Sequence, residues 1–254
     1  MSDPLRVRRD GSVWTLTIDR AERRNALDDA TIDAMRTVLD EAECSPAVRS
    51  IVICGAGTVA FCAGSDLKAA REMDRAGRIA HTARGQRLVQ QIEQHPCLIL
   101  AAIEGYALGG GFELALACDL RVVGEGAEFG LPEVTKGMLP GWGGTYRLTQ
   151  AIGLARAQSI LLGGQRLTAE QANAAGLVTK VVPTGEAITQ AVSLAAELAV
   201  SSDRETYARA KSLLRAGVYA NGDTGRLMEL LGETAQAGGE HYAAHVGRVE
   251  KASP

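Results

Sequence analysis

Along roughly the first 140 residues, short apolar runs alternate with stretches whose apolar positions recur at helical spacing. Val13 to Asp19 (VWTLTID) is rich in β-branched and aromatic residues and predicts a strand. Asp28 or Asp29 can cap a helix reaching about Glu43, with Ile32, Met35, Val38, Leu39 and Ala42 on one face. Ser50 to Cys54 (SIVIC) predicts a buried strand, followed by a glycine-containing loop from Gly55 to Gly64. A short helix over Asp66 to Met73 comes next, then a longer one over Arg78 to His95 that Pro96 stops. Leu98 to Ile103 predicts a second buried strand, Gly105 to Gly111 a glycine-rich turn, and Phe112 to Cys118 a buried helix. Leu120 to Val123 and Glu128 to Phe129 are short strand candidates.

The pattern changes after a second glycine-rich stretch, Gly137 to Gly144 (GMLPGWGG). From about Thr145 to Lys251 helical spacing dominates, interrupted near Leu177 to Val182 (LVTKVV). The alternation predicts an α/β core followed by a helical C-terminal part. We divide the chain into a core over residues 1–195 and a helical region over 196–254. There is no low-complexity segment, proline-rich linker or clean internal repeat.

Composition narrows the function classes. A chain of 254 residues with 46% hydrophobic and 22% charged residues can build a full core without disulfides or metal. Lys plus Arg is 27 against 30 for Asp plus Glu, a net charge of -3. That leaves no basic excess to neutralise a nucleic-acid backbone. Aromatics at 4% argue against base-stacking platforms. The five cysteines form no CxxC pair, which reads as reduced thiols in a cytoplasmic protein and not as a zinc site or disulfide framework. The longest apolar stretch, Cys97 to Ile103, is too short to span a bilayer. The arginines near the start precede no apolar run, so secretion and membrane insertion are not expected.

Three segments can carry chemistry. Gly105-Tyr-Ala-Leu-Gly-Gly-Gly-Phe-Glu113 places three consecutive glycines between a strand and a helix. Bare backbone there lets a ligand approach N–H groups at the positive end of the helix, with Glu113 in the first turn. The same glycines also suit tight packing, and a glutamate suits a helix start in any case. Ala60-Phe-Cys-Ala-Gly-Ser-Asp-Leu-Lys68 offers Gly64 for an unusual backbone angle and Asp66 as a cap. Its Ser65 and Cys62 are poor nucleophile candidates by sequence, since no GxSxG elbow or neighbouring His accompanies them. In Phe129-Gly-Leu-Pro-Glu133, Pro132 and Glu133 are also what a plain helix start looks like. If Glu113 and Glu133 meet in a dry cleft, environment can make one an acid and the other a base.

Two further patterns carry less. Gly55-Ala-Gly-Thr-Val-Ala60 mimics a dinucleotide fingerprint but lacks the acidic residue about twenty positions on. His241 and His245 lie four apart without an apparent third metal ligand. No metal site is expected.

The ordered set of segments resembles the enoyl-CoA hydratase/isomerase (crotonase) family. The resemblance rests on Arg23-Arg-Asn-Ala-Leu27, residues 60–68 (AFCAGSDLK), residues 105–119 (GYALGGGFELALACD), Phe129 to Glu133 (FGLPE) and residues 137–148 (GMLPGWGGTYRL). It implies a spiral of ββα turns with a helical C-terminal trimerisation region, and a homotrimer or homohexamer. It implies an acyl-CoA thioester as substrate, with coenzyme A part of the substrate and no separate cofactor. The backbone N–H groups of Ser65 and Gly110 would form an oxyanion hole. Glu113 would activate water and Glu133 would deliver a proton to the α-carbon, the pair expected of a hydratase. A crotonase-fold isomerase or dehydratase is the alternative. The resemblance assigns the CoA and substrate path to Arg23, Arg24, Ala26, Ala63, Gly64, Asp66, Leu67, Lys68, Gly109, Pro132, Leu139, Gly141 and Trp142. The match weakens after about residue 200, where the family's phenylalanine-rich helices have no counterpart in Leu227 to Pro254.

Overall fold

A computed structural model describes residues 3–219. His241, His245, Lys251 and most of the expected helical C-terminal region lie outside the described residues.

The strands form two sheets, and successive strand pairs divide between them. The larger sheet contains β1 (Leu5–Asp10), β2 (Val13–Ile18), β3 (Ser50–Gly55), β5 (Leu98–Ile103), β7 (Leu120–Gly124) and β10 (Lys180–Val182), hydrogen-bonded in that order. Only β1 and β2 run antiparallel; β2, β3, β5, β7 and β10 are parallel neighbours. The smaller sheet contains β4 (Ala60–Cys62), β6 (Tyr106–Leu108), β8 (Glu128–Gly130) and β9 (Leu167–Thr168). Thus β3 leads to β4, β5 to β6 and β7 to β8, each pair giving one strand to each sheet. This is the expected ββα spiral.

The helices occupy the two faces. α1 (Asp29–Cys44), α3 (Arg75–Gln94) and α4 (Gly110–Ala117) contribute to the main core, together with Ile51, Ile53, Ile99 and Ala101 of the larger sheet. The intervening strand residues Val52, Cys54 and Leu100 face the other way, where α8 (Ala187–Ser201) packs. Strands covered on both faces read as continuous apolar runs, which is why SIVIC and LILAAI were legible as buried strands. On α8 the buried residues are Ala187, Ala191, Ala195 and Ala199, a spacing of four that keeps one narrow face against the sheet. The remaining helices among the described residues are α2 (Leu67–Arg71), α5 (Gly144–Ile152), α6 (Leu154–Leu161), α7 (Ala169–Ala174) and α9 (Arg204–Tyr219).

Several boundaries differ from the sequence expectation. Asp28, not Asp29, caps α1, its carboxylate accepting from the Thr31 N–H at 2.9 Å. α3 begins at Arg75 because Asp74 accepts from the Gly77 N–H at 2.7 Å. α2 is shorter than expected and is capped by Asp66. The expected loop 55–64 contains β4, and the expected turn 105–111 contains β6. A strand, not a helix, follows Gly55, so that segment has no dinucleotide-binding geometry. β1 was not anticipated.

Candidate active site

A cavity of about 470 Å³ opens where the segment before α2, the start of α4 and the loops after β8 converge. Its placement begins with the turn over residues 20–27. Arg24 and Asn25 both have positive φ, 54° and 55°. Asn tolerates that region, and Asn25 is held there by buried hydrogen bonds. Its amide donates to the Ala60 carbonyl at 2.6 Å and the Ala56 carbonyl at 3.1 Å. The Arg24 carbonyl then accepts from the Ala63 N–H at 3.0 Å, which brings both residues to the cavity wall.

Ser65 is fixed by a parallel bridge to Leu27. The Leu27 N–H donates to the Gly64 carbonyl at 2.8 Å, and the Asp66 N–H donates to the Leu27 carbonyl at 2.9 Å. In a parallel ladder the flanking residues make these bonds, so the N–H of Ser65 itself points to the opposite side. Gly64 has φ +94°, and a Cβ there would lie 2.8 Å from the Gly110 nitrogen. Glycine is therefore required for the Ser65 segment to approach the start of α4. Gly110 is the first helical residue, so its N–H has no intrahelical acceptor. Ser65 and Gly110 both line the cavity.

Two glutamates reach the same cavity in different environments. Glu113 lies in the first turn of α4 and is buried. Its Oε1 accepts from the N–H of Trp142 at 2.8 Å and of Gly144 at 2.7 Å. Burial raises its carboxyl above the ordinary range, while these N–H groups and Arg147 oppose the rise by favouring the ionised form. Glu133 sits just before a 3-10 turn over Val134–Lys136. Its Oε2 is buried and, among the described residues, has no hydrogen-bond partner. Burial, reinforced by the nearby charge of Glu113, pushes Glu133 up to about 7. Gly109 makes room for it: φ is +53°, and a Cβ there would stand 2.7 Å from Glu133 Oε1.

Of the residues expected here, Arg24, Ala63, Leu67, Gly109, Pro132, Leu139, Gly141 and Trp142 line the cavity with Ser65, Gly110 and the two glutamates. Arg23 and Lys68 are exposed and lie outside it. Ala26 is buried, and its carbonyl accepts from the Arg20 guanidinium. Asp66 is turned inward. Burial alone would raise its carboxyl, but the Ala69 N–H and the Arg20 guanidinium outweigh that and hold it below the usual carboxylate range. It caps α2 and pairs with Arg20 at 2.9 Å. Cys62 is fully buried, and its thiol is pushed up to about 12, which fits the sequence-based view that it is no nucleophile.

Sequence reasoning missed Arg78, His81 and Thr82, which enter the cavity from α3. Their spacing of three and four on one helix was a usable signal. It also missed Lys136, Met138 and Arg166 on the far wall. Arg24 and Lys136 form no ion pair among the described residues. Trp142 lines the cavity between two helices. A Cβ on Gly85 would be 2.0 Å from its indole and one on Gly110 2.5 Å, so the ring fills the gap between α3 and α4.

The two-sheet spiral, with a cavity at the start of α4, defines a crotonase-fold enzyme. The sequence model of the enoyl-CoA hydratase/isomerase family matches residues 8–236, and the chain belongs to that family. It is 39% identical to the 2,3-dehydroadipyl-CoA hydratase of Escherichia coli K12 over 211 residues, 83% of this chain and 81% of that protein. It is 33% identical to the short-chain-enoyl-CoA hydratase of Clostridium acetobutylicum over 223 residues, 88% and 85% of the two chains. The crystal structure of an enoyl-CoA hydratase from Bacillus anthracis superposes with a TM-score of 0.93 at 30% identity, covering 98% of this chain and 96% of that one. These relatives place the enzyme among the hydro-lyases. Among the described residues, no helix is long and apolar enough to cross a membrane.

Proposed function

We propose that the enzyme adds water reversibly across the double bond of a short 2-enoyl-CoA. The observation that carries this reading is the unequal pair of glutamates in one cavity. Glu113, held by two backbone N–H groups, is the carboxylate that takes a proton from water as its oxygen attacks the β-carbon. Glu133, whose buried oxygen lacks a partner and whose carboxyl titrates near 7, is the acid that protonates the α-carbon. The N–H groups of Ser65 and Gly110 receive the thioester oxygen as it gains enolate charge; one such donor is typically worth roughly 3 kcal/mol. The reaction needs only the thioester and water, with no separate cofactor.

Arg24 and Lys136, without ion-pair partners among the described residues, supply positive charge for the CoA phosphates on an otherwise acidic chain. Trp142 limits the acyl end and favours short chains. The buried free cysteines suit a reducing cytoplasm. We further propose a homotrimer or homohexamer built through the helical C-terminal region. The test of the chemistry is loss of the enoyl-thioester absorbance of crotonyl-CoA with purified protein, across a panel of chain lengths. Thioester isomerised with no hydrated product would favour the isomerase alternative.

A further inference from the structure

One feature of the cavity wall is not used by hydration. Ser65 Oγ lies 2.7 Å from His81 Nε2, and His81 Nδ1 lies 2.6 Å from Asp29 Oδ1. The three residues come from three segments: the loop before α2, the inner face of α3 and the first turn of α1. The chain of contacts fixes the tautomer. A carboxylate only accepts, so Nδ1 carries the proton toward Asp29, and Nε2 presents its lone pair to the Ser65 hydroxyl. Asp29 is itself held, its Oδ2 accepting from Arg84 at 2.7 Å. His81 is 5% exposed and its ring packs against Trp142, centroids 5.8 Å apart. Ser65 and His81 both line the cavity.

We propose that Ser65, His81 and Asp29 form a second catalytic set that hydrolyses short acyl-CoA thioesters through an acyl-serine intermediate. The proposal rests on the reading that this cavity takes an acyl-CoA. A nucleophilic serine needs a base, an oriented imidazole and donors for the oxyanion. Here the donor N–H of Ser65 belongs to the nucleophile itself, and that of Gly110 lies beside it. The Ser65 oxygen attacks the thioester carbonyl while its proton moves to His81 Nε2. The carbonyl oxygen becomes the oxyanion. Its collapse breaks the carbon–sulfur bond, and CoA leaves as a thiol, taking the proton from His81. Water then attacks the acyl-serine ester, giving its proton to His81. Collapse of the second intermediate releases the carboxylic acid and returns the proton to Ser65. Asp29 is a positioning residue, since it touches only the imidazole and its own partners.

The test uses butyryl-CoA, which has no α,β double bond and cannot be hydrated. Thiol release is followed with a thiol-reactive dye for the full-length protein and for Ser65→Ala, His81→Gln and Asp29→Asn. Wild type should release thiol above the uncatalysed rate. Ser65→Ala and His81→Gln should lose at least roughly 100-fold, the usual scale for removing a nucleophile or its base. Asp29→Asn should lower kcat at least roughly 10-fold with little change in KM, which a loosened binding site would not do. No thiol release by wild type, or release that persists in Ser65→Ala, overturns the proposal. Crotonyl-CoA hydration, read in parallel, separates the two readings: a protein that hydrates without releasing thiol loses only this one, and the reverse result loses only the hydratase.

Discussion

Replacing Glu133 by Gln should slow the enzyme and stabilise it at the same time. The carboxyl rises from an ordinary 4.5 to about 7 in the folded chain because it is buried beside Glu113. The sign follows from proton counting. Between pH 4.5 and 7 the folded chain holds a proton that the unfolded chain has released, so stability falls as pH rises through this window. Above 7 the full penalty of a buried, poorly solvated charge is present; below 4.5 both states are protonated and it vanishes. At 1.36 kcal/mol per pH unit the ceiling is roughly 3 kcal/mol, and because Glu133 is only partly buried, screening by solvent brings the penalty down to roughly 1–2 kcal/mol. A Gln amide keeps part of the burial cost, so the expected gain at pH 8 is roughly 1 kcal/mol, or roughly 2–4 °C in melting temperature. Loss of the acid should reduce hydration of crotonyl-CoA by roughly 100- to 10,000-fold. Wild-type hydration should itself decline as pH rises through about 7, where Glu133 gives up its proton. The measurements are enoyl-thioester absorbance and melting curves at pH 8 and pH 4.5. Activity within threefold of wild type refutes the acid role. A gain as large at pH 4.5 as at pH 8 shows that packing, not buried charge, was relieved.

Other outcomes follow from the same geometry. Trp142→Ala should shift the preference toward longer acyl chains, at a cost of about 3–5 kcal/mol from the lost core contacts; an unchanged chain-length profile would show that the indole does not end the pocket. Arg24→Glu should raise KM for acyl-CoA with kcat nearly unchanged, whereas Arg23→Glu, at a side chain outside the cavity, should do less; equal effects would contradict this placement. Lys211 is buried, 2.6 Å from Asp119, and donates to the carbonyls of His95 and Cys97. Lys211→Ala should cost about 1–3 kcal/mol, because the buried carboxylate loses its closest cation and the two carbonyls their donor while Asp119 keeps Arg215 and the Ile99 N–H, and a melting temperature within a degree or two of wild type would argue against the buried pair. Sedimentation at micromolar concentration should give a trimer or hexamer, and a monomer would contradict the proposed assembly.

What the sequence revealed depended on how local each signal was. α1 was legible because one side chain, Asp28, sets its start and a run of apolar residues at helical spacing sets its face. β4 and β6 were not, because each has only three residues, too few to establish an alternation. β1 reads LRVRRD, with only Leu5 buried; an antiparallel edge strand with exposed arginines carries little apolar pattern. The glutamate pair was legible as two motifs, but their convergence in one cavity was not. The Ser65–His81–Asp29 chain was invisible, since its contacts span 16 and 52 residues of sequence and depend on how α1 and α3 pack.

The different environments of Glu113 and Glu133 are maintained from behind the cavity. The loop that binds Glu113 through the Trp142 and Gly144 N–H groups is itself tethered, because the Trp142 carbonyl accepts from Arg147 at 2.7 Å. Arg147 pairs with Glu93 of α3 at 2.6 Å, and Arg215 of α9 reaches both Glu93 and Asp119. Charged contacts therefore run from α9 through α3 and α5 to the two N–H groups that favour ionised Glu113. Among the described residues Glu133 has no comparable tether: its Oε2 is orphaned, and its Oε1 faces bare backbone at Gly109. Burial raises both carboxyls that share the cavity, but at Glu113 the anchored N–H groups and Arg147 oppose the rise, whereas Glu133, beside the Glu113 charge, is pushed up to about 7. Loosening the anchor at Arg147 or Glu93 should weaken the distinction from the Glu113 side, lowering turnover without touching a residue that meets the substrate's double bond.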